Sequence, residues 1–223
     1  SVWDGQTGAF EKEFFGPTDY GAGGGAICPA APYTVIGHGC EWKIDKDTGK
    51  AECVAVISRV RWANARFGTG KDGRVYAAVG GGWAPHYPVN IFERLSPGVW
   101  KLRTTISTDE ENEGKPPQHI KVWSDRNDDQ QQQADEVKAF DMVLGGWIDG
   151  WYLYFNQAMT LAGTQYRIDV TGWTACGAPE YDLAKATKLP GPEDVGARGG
   201  MGAQRCMVSE GGDYVLYNGH YGV

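Results

Sequence analysis

From Tyr33 onward the chain is cut into short segments rich in β-branched and aromatic residues, separated by turns built on glycine. "YTVIG", "CEWKID", "VYAAV", "VWKLRTTIS", "QHIKVWS" and "DYVLYNG" are short for helices, the longer "ECVAVISRVRW" is strand by its β-branched content, and several alternate apolar with polar side chains. "DKDTGKAE" and "GKDG" supply the side-chain hydrogen bonds and positive φ that a reversing chain needs. The 33 glycines and the 12 % aromatic content fit the same picture, because aromatics suit pleated surfaces and glycine suits tight corners. "ADEVKAFDMVLG" is the one stretch that a helix could also claim; its apolar spacing is imperfect and it is read as strand.

About ten strands at this spacing predict an all-β fold, a single-domain β-sandwich or jelly roll. Residues 1–32 are expected to form an irregular N-terminal arm, in which "FEKEFF" suits one helical turn or an edge strand. Residues 33–223 form the β domain, with residues 178–202 as a long loop. Along "VWKLRTTIS", simple alternation sets Trp100, Leu102 and Ile106 against Lys101, Arg103 and Thr105. A chain of 223 residues buries a substantial core without staples.

Charge and hydropathy exclude several partners. A formal charge of −7 with only a short arginine run (Arg59, Arg61, Arg66) argues against nucleic acid. No apolar run reaches the roughly 18 residues that a membrane span needs. The five cysteines, Cys28, Cys40, Cys53, Cys176 and Cys206, are spaced for neither a zinc knuckle nor a C-x-x-C redox pair. Two disulfides and one buried thiol are expected in an extracellular setting, five buried thiols in a reducing one.

Three groups of residues are candidates for function. The first is aromatic. "VYAAVGGGWAPHYPVN" brings Trp83, His86 and Tyr87 behind a glycine run, and "GGWIDGWYLYF" carries Trp147 and Trp151. Aromatic rings at strand ends are a usual means of holding sugar faces, so these five are the expected ligand-binding residues. Prolines 85 and 88 prevent the helix that a dinucleotide-binding glycine motif would require. The second group is acidic. Asp125, Asn127, Asp129 and Glu136 stand at positions one, three, five and twelve of "DRNDDQQQQADE", the ligand spacing of a calcium loop, with Gln130 where such loops carry glycine. Calcium is therefore the one metal the sequence points toward, and no other cofactor is expected.

The third group is catalytic. Arg103, His119 and the tyrosines Tyr152 and Tyr154 occur in an order that resembles the arginine, glutamine/histidine and tyrosine strands of jelly-roll alginate-type polysaccharide lyases. The resemblance implies a carboxylate-neutralising arginine, a histidine that takes the C5 proton and a tyrosine that protonates the leaving oxygen. Here Gln118 and His119 are adjacent, where those families space them two apart. No nucleophile elbow or metalloprotease motif is present. The leading expectation is thus a non-catalytic recognition or assembly module, extracellular or at a particle surface, with carbohydrate or identical subunits as partner. A polysaccharide lyase and a self-assembling, capsid-like subunit are the alternatives.

Overall fold

Each strand of the largest sheet pairs with its neighbour in sequence. The computed structural model describes residues 2–12, 25–58, 64–80, 88–108, 119–141, 154–162, 166–188, 205–209 and 214–218. Strands β1 (Val2–Trp3) and β2 (Phe10–Lys12) make a small hairpin. A four-stranded antiparallel meander follows: β3 (Ala26–Cys28), β4 (Ala31–Gly37), β5 (Cys40–Ile44) and β6 (Ala51–Val56). The six-stranded meander comprises β7 (Asn64–Thr69), β8 (Val75–Gly80), β9 (Val89–Ser96), β10 (Val99–Thr108), β11 (His119–Ser124) and β12 (Val137–Asp141). Short strands then cover it: β13 (Tyr154–Phe155), β14 (Leu161–Ala162), β15 (Tyr166–Ile168), β16 (Val170–Trp173), β17 (Pro179–Tyr181) and β18 (Thr187–Lys188). A hairpin of β19 (Arg205–Val208) and β20 (Val215–Asn218) completes the described chain.

The fold is all-β, a stack of antiparallel sheets, and no described sheet closes into a barrel. The six-stranded sheet is the middle layer. On one face Tyr76, Ile91, Ile106 and Ile120 pack against Phe155, Met159, Leu161, Ile168, Tyr181 and Leu183. On the other, Ala65, Phe67, Ala77 and Val79 meet Cys28 and Ile36 of the four-stranded sheet, flanked by Phe92 and Trp100. Burial on both faces explains "VYAAV", which shows none of the alternation of a half-exposed strand. "VNIFERL" does alternate, with Val89, Ile91 and Glu93 inward on the first face.

Three sequence expectations are modified. Strands run through the N-terminal arm, because "AIC" finds partners in Val35 and Ile36 of β4. The stretch expected as a loop from residue 178 begins with β17, whose Pro179 carbonyl accepts hydroxyl hydrogen bonds from Thr104 (2.7 Å) and Ser124 (3.0 Å). The alternation along β10 breaks at Arg103. Leu102 pairs with Phe92 and Thr104 with Ile91, so Arg103 is the extra residue of a β-bulge. Trp100 consequently packs on one core and Ile106 on the other.

Gly80, which opens the glycine run, stands where no side chain fits. A Cβ there would lie 2.2 Å from Pro88 O and 2.8 Å from Val89 Cα. The first glycine of "VGGGW" lets the chain pass hard against its own return strand. Gly80→Ala is expected to lower the unfolding free energy by about 1–3 kcal/mol, measured by urea denaturation; an unchanged midpoint would count against this close approach.

Candidate functional site

The bulge at Arg103 swings its guanidinium into a buried acidic group. Arg103 Nε donates to Glu93 Oε2 (2.6 Å), and Nη1 donates to Asp125 Oδ2 (3.1 Å) and Asp128 Oδ1 (2.5 Å). The Arg103 and Glu93 side chains are each 5 % exposed and that of Asp125 is fully buried. Burial alone would weaken the guanidinium's hold on its proton; the hydrogen bonds to Asp128 and Glu93 outweigh it and push the group above its ordinary value. Arg74, from the β7–β8 turn, bridges Asp72 (2.8 Å) and Glu93 (3.4 Å) and donates to Cys176 O (3.0 Å). Lys101 donates to Asp128 Oδ2 (2.6 Å). Lys101 and Arg103 together hold the Asp128 carboxyl below the usual range.

Asp125, Asp128 and Cys176 also bring two carboxylates and a thiol within 4.8 Å of one another. Arg103 already places positive charge between those carboxylates. The Cys176 thiol donates to the Asp125 carbonyl oxygen (3.0 Å) and touches Thr174 Oγ1 (3.2 Å). The arrangement suits charge neutralisation inside the protein.

Each of the four residues of the calcium spacing is hydrogen-bonded within the protein. Asp125 Oδ1 accepts from the Asp128 amide, and Glu136 accepts from Trp123 Nε1 (2.7 Å) and from the Arg126 amide (2.8 Å). Asp129 accepts from the Gln131 amide, Gln133 Nε2 and Asn127 Nδ2, the first of which is the main cause of its lowered pKa. Asn127 Oδ1 accepts from the Asp129 amide. Asp128 and Gln130 both adopt positive φ (68° and 60°) within this loop.

His119 lies at the other end of the sheet. Its Nδ1 is 2.7 Å from Asp141 Oδ1, directly across the β11–β12 pair. Asn90, Thr105 and Lys121 are half-buried on neighbouring strands, and the Thr105 hydroxyl donates to Asn90 Oδ1 (2.9 Å). Arg103 stands beside the Ser124–Asp125 end of β11, since the Asp125 amide donates to Arg103 O. Five residues of extended strand, roughly 17 Å, separate it from His119. The structure does not bring these two lyase candidates together. Tyr154 opens β13, while Tyr152, Trp83, His86, Tyr87, Trp147 and Trp151 lie outside the described residues.

Sequence reasoning misses Glu41, whose carboxylate accepts from Arg94 Nη2 (2.8 Å), the Gly98 amide (2.8 Å) and Trp100 Nε1 (2.7 Å). It also misses Glu93, Asp128 and Cys176. Only for Asp128 is there a local hint, the Asp-Arg-Asn-Asp-Asp composition of its loop, which suits a structured turn.

Two buried tyrosines hold the cover, Tyr76 by tying it to the central sheet and Tyr181 by joining two of its own segments. Tyr76 OH donates to Gly177 O (2.7 Å) and Tyr181 OH to Met159 O (2.8 Å). Burial, then nearby negative charge, pushes both phenols up. A raised folded-state value means this contribution is complete below the unfolded tyrosine value of about 10 and is lost as pH climbs beyond it. Urea midpoints are expected to fall above about pH 10, and Tyr181→Phe to flatten that fall. An alkaline limb identical in the variant would rule out the assignment.

Comparison with known protein families, with curated proteins and with solved structures finds no match to this chain. The class defined by the fold is an all-β protein of stacked antiparallel meanders.

Proposed function

We propose that this protein is a non-catalytic recognition module, acting outside the cell or at a particle surface, with carbohydrate as its ligand class. One observation carries the reading: the described strand ends that flank or precede the segments holding the expected aromatic residues all lie at one end of the six-stranded sheet. Gly80 pairs with Val89, Val89 with Ile106, and His119 with Asp141, so the strand ends flanking 81–87 and preceding 142–153 share that edge. Trp83, His86 and Tyr87 belong to the first segment, and Trp147 and Trp151 to the second. The exposed His119–Asp141 pair at that end of the sheet offers a polar contact for a ligand. The charged groups at the opposite end are occupied with each other, which favours a structural role for them.

A glycan array followed by titration calorimetry tests the proposal. Binding to a saccharide class is expected, with Trp147→Ala or Trp83→Ala weakening it by about tenfold or more through loss of stacking. No binder at high protein concentration would overturn it.

An assembly role is the second reading, supported by the β1–β2 hairpin. Trp3 and Phe10 pack edge to face (5.1 Å between ring centroids) yet remain 57 % and 53 % exposed. Such a pair suits burial against another copy. A monomeric peak at every concentration in size-exclusion chromatography would dispose of this reading and leave the first intact.

A further inference from the structure

The four-stranded sheet carries two cysteines whose relation neither the core nor the proposed ligand edge uses. Cys40 begins β5 and pairs with Val56; Cys53 on β6 pairs with Trp42. Between them Glu41 pairs with Ala55, so Val54 is an extra residue in β6. Glu41 points inward to Arg94, Gly98 and Trp100, which sends Cys40 and Trp42 to the outer face. Cys53 follows Trp42 to that face. The register thus makes Cys40 and Cys53 diagonal neighbours on one face of adjacent strands, the Cys53 thiol donating to Ala55 O (3.6 Å).

We propose that Cys40 and Cys53 form a redox-active dithiol that closes into a cross-strand disulfide when the protein meets a low-molecular-weight disulfide such as oxidised glutathione. Regular diagonal neighbours in an antiparallel sheet have Cα atoms about 7–8 Å apart. A disulfide needs about 4.4–6.8 Å. The bulge already bends β6, and β6 has only one neighbour in its sheet, so the remaining movement falls on an edge strand.

The order of events follows from exposure. Cys53 is exposed and is the thiol a reagent reaches first. Its thiolate attacks one sulfur of the reagent, forming a mixed disulfide and releasing one glutathione thiolate. Cys40, its proton passed to water, then attacks the Cys53 sulfur, and the second glutathione thiolate leaves. Two protein thiols lose two electrons and the reagent becomes two thiols. The Cys40 thiol is pushed up by burial and by its neighbour Cys53, which suits the resolving role better than the attacking one. Cys28 is fully buried and Cys176 is engaged with Asp125 and Thr174, which separates them from this chemistry.

The test is incubation of the full chain with oxidised glutathione, blocking with iodoacetamide and mapping by tryptic peptides. Lys43 and Lys50 place the two cysteines in different peptides, 13–43 and 51–59. Loss of iodoacetamide labelling at both residues and a cross-link between the two peptides are expected. In Cys40→Ser the reaction is expected to stop at a glutathione adduct on Cys53. A stable adduct on wild-type Cys53, two thiols that stay labelled, or a cross-link surviving in Cys40→Ser would each overturn the proposal.

Discussion

Arg103→Met is expected to remove about 3–5 kcal/mol of unfolding free energy, because it strands buried carboxylates rather than merely deleting a contact. Glu93 and Asp125 are buried and would keep only the Arg74 guanidinium at 3.4 Å and the Asp128 amide, respectively. Arg103→Lys keeps the charge but cannot reach Glu93, Asp125 and Asp128 at once, so an intermediate loss is expected. Adding Glu93→Gln to Arg103→Met removes one of the unpaired charges and is expected to recover part of the loss. Urea denaturation with a double-mutant cycle measures all three. A loss below about 1 kcal/mol for Arg103→Met would place the group in the class of weak surface pairs.

Glu41→Ala is the second large effect, again about 3–5 kcal/mol. One carboxylate satisfies a guanidinium, a backbone amide and an indole N–H, all from the β9–β10 hairpin. Its loss unfastens the four-stranded sheet from the central one, so amide exchange in β4 and β5 is expected to accelerate more than in β11. Glu41→Gln retains an acceptor and is expected to cost about half as much. Equal exchange in both sheets would show that Glu41 contributes no specific tether.

Local chemistry marks some of these residues in the sequence and leaves others unmarked. Strand identity was legible where it rests on local chemistry: "VYAAV" is apolar throughout because both of its faces are covered, and "HIKVWS" turns Ile120 inward and His119 away. Glu41 was not legible. In "CEWKI" alternation groups Cys40, Trp42 and Ile44, and the glutamate looks like the wet side. The partners that make its burial favourable stand 53 to 59 residues away. Arg103 was hidden for a related reason, since no local composition marks the bulge that re-aims it. The calcium spacing in the 125–136 loop is legible as a pattern, whereas the protein partners of its side chains are not. Trp123 and the Arg126 amide take up Glu136, and Arg103 takes up Asp125.

The meander order has a consequence for biosynthesis. Strands β7 to β12 each meet their partner as soon as it is made, but the segments that roof the isoleucine-lined face, residues 155–183, are translated afterwards. A nascent chain ending near Asp141 therefore carries a finished sheet with one greasy side bare to water. Bare apolar faces of this kind are what make incomplete chains prone to aggregate, so the roof closes the exposure that pairing of the sheet leaves open.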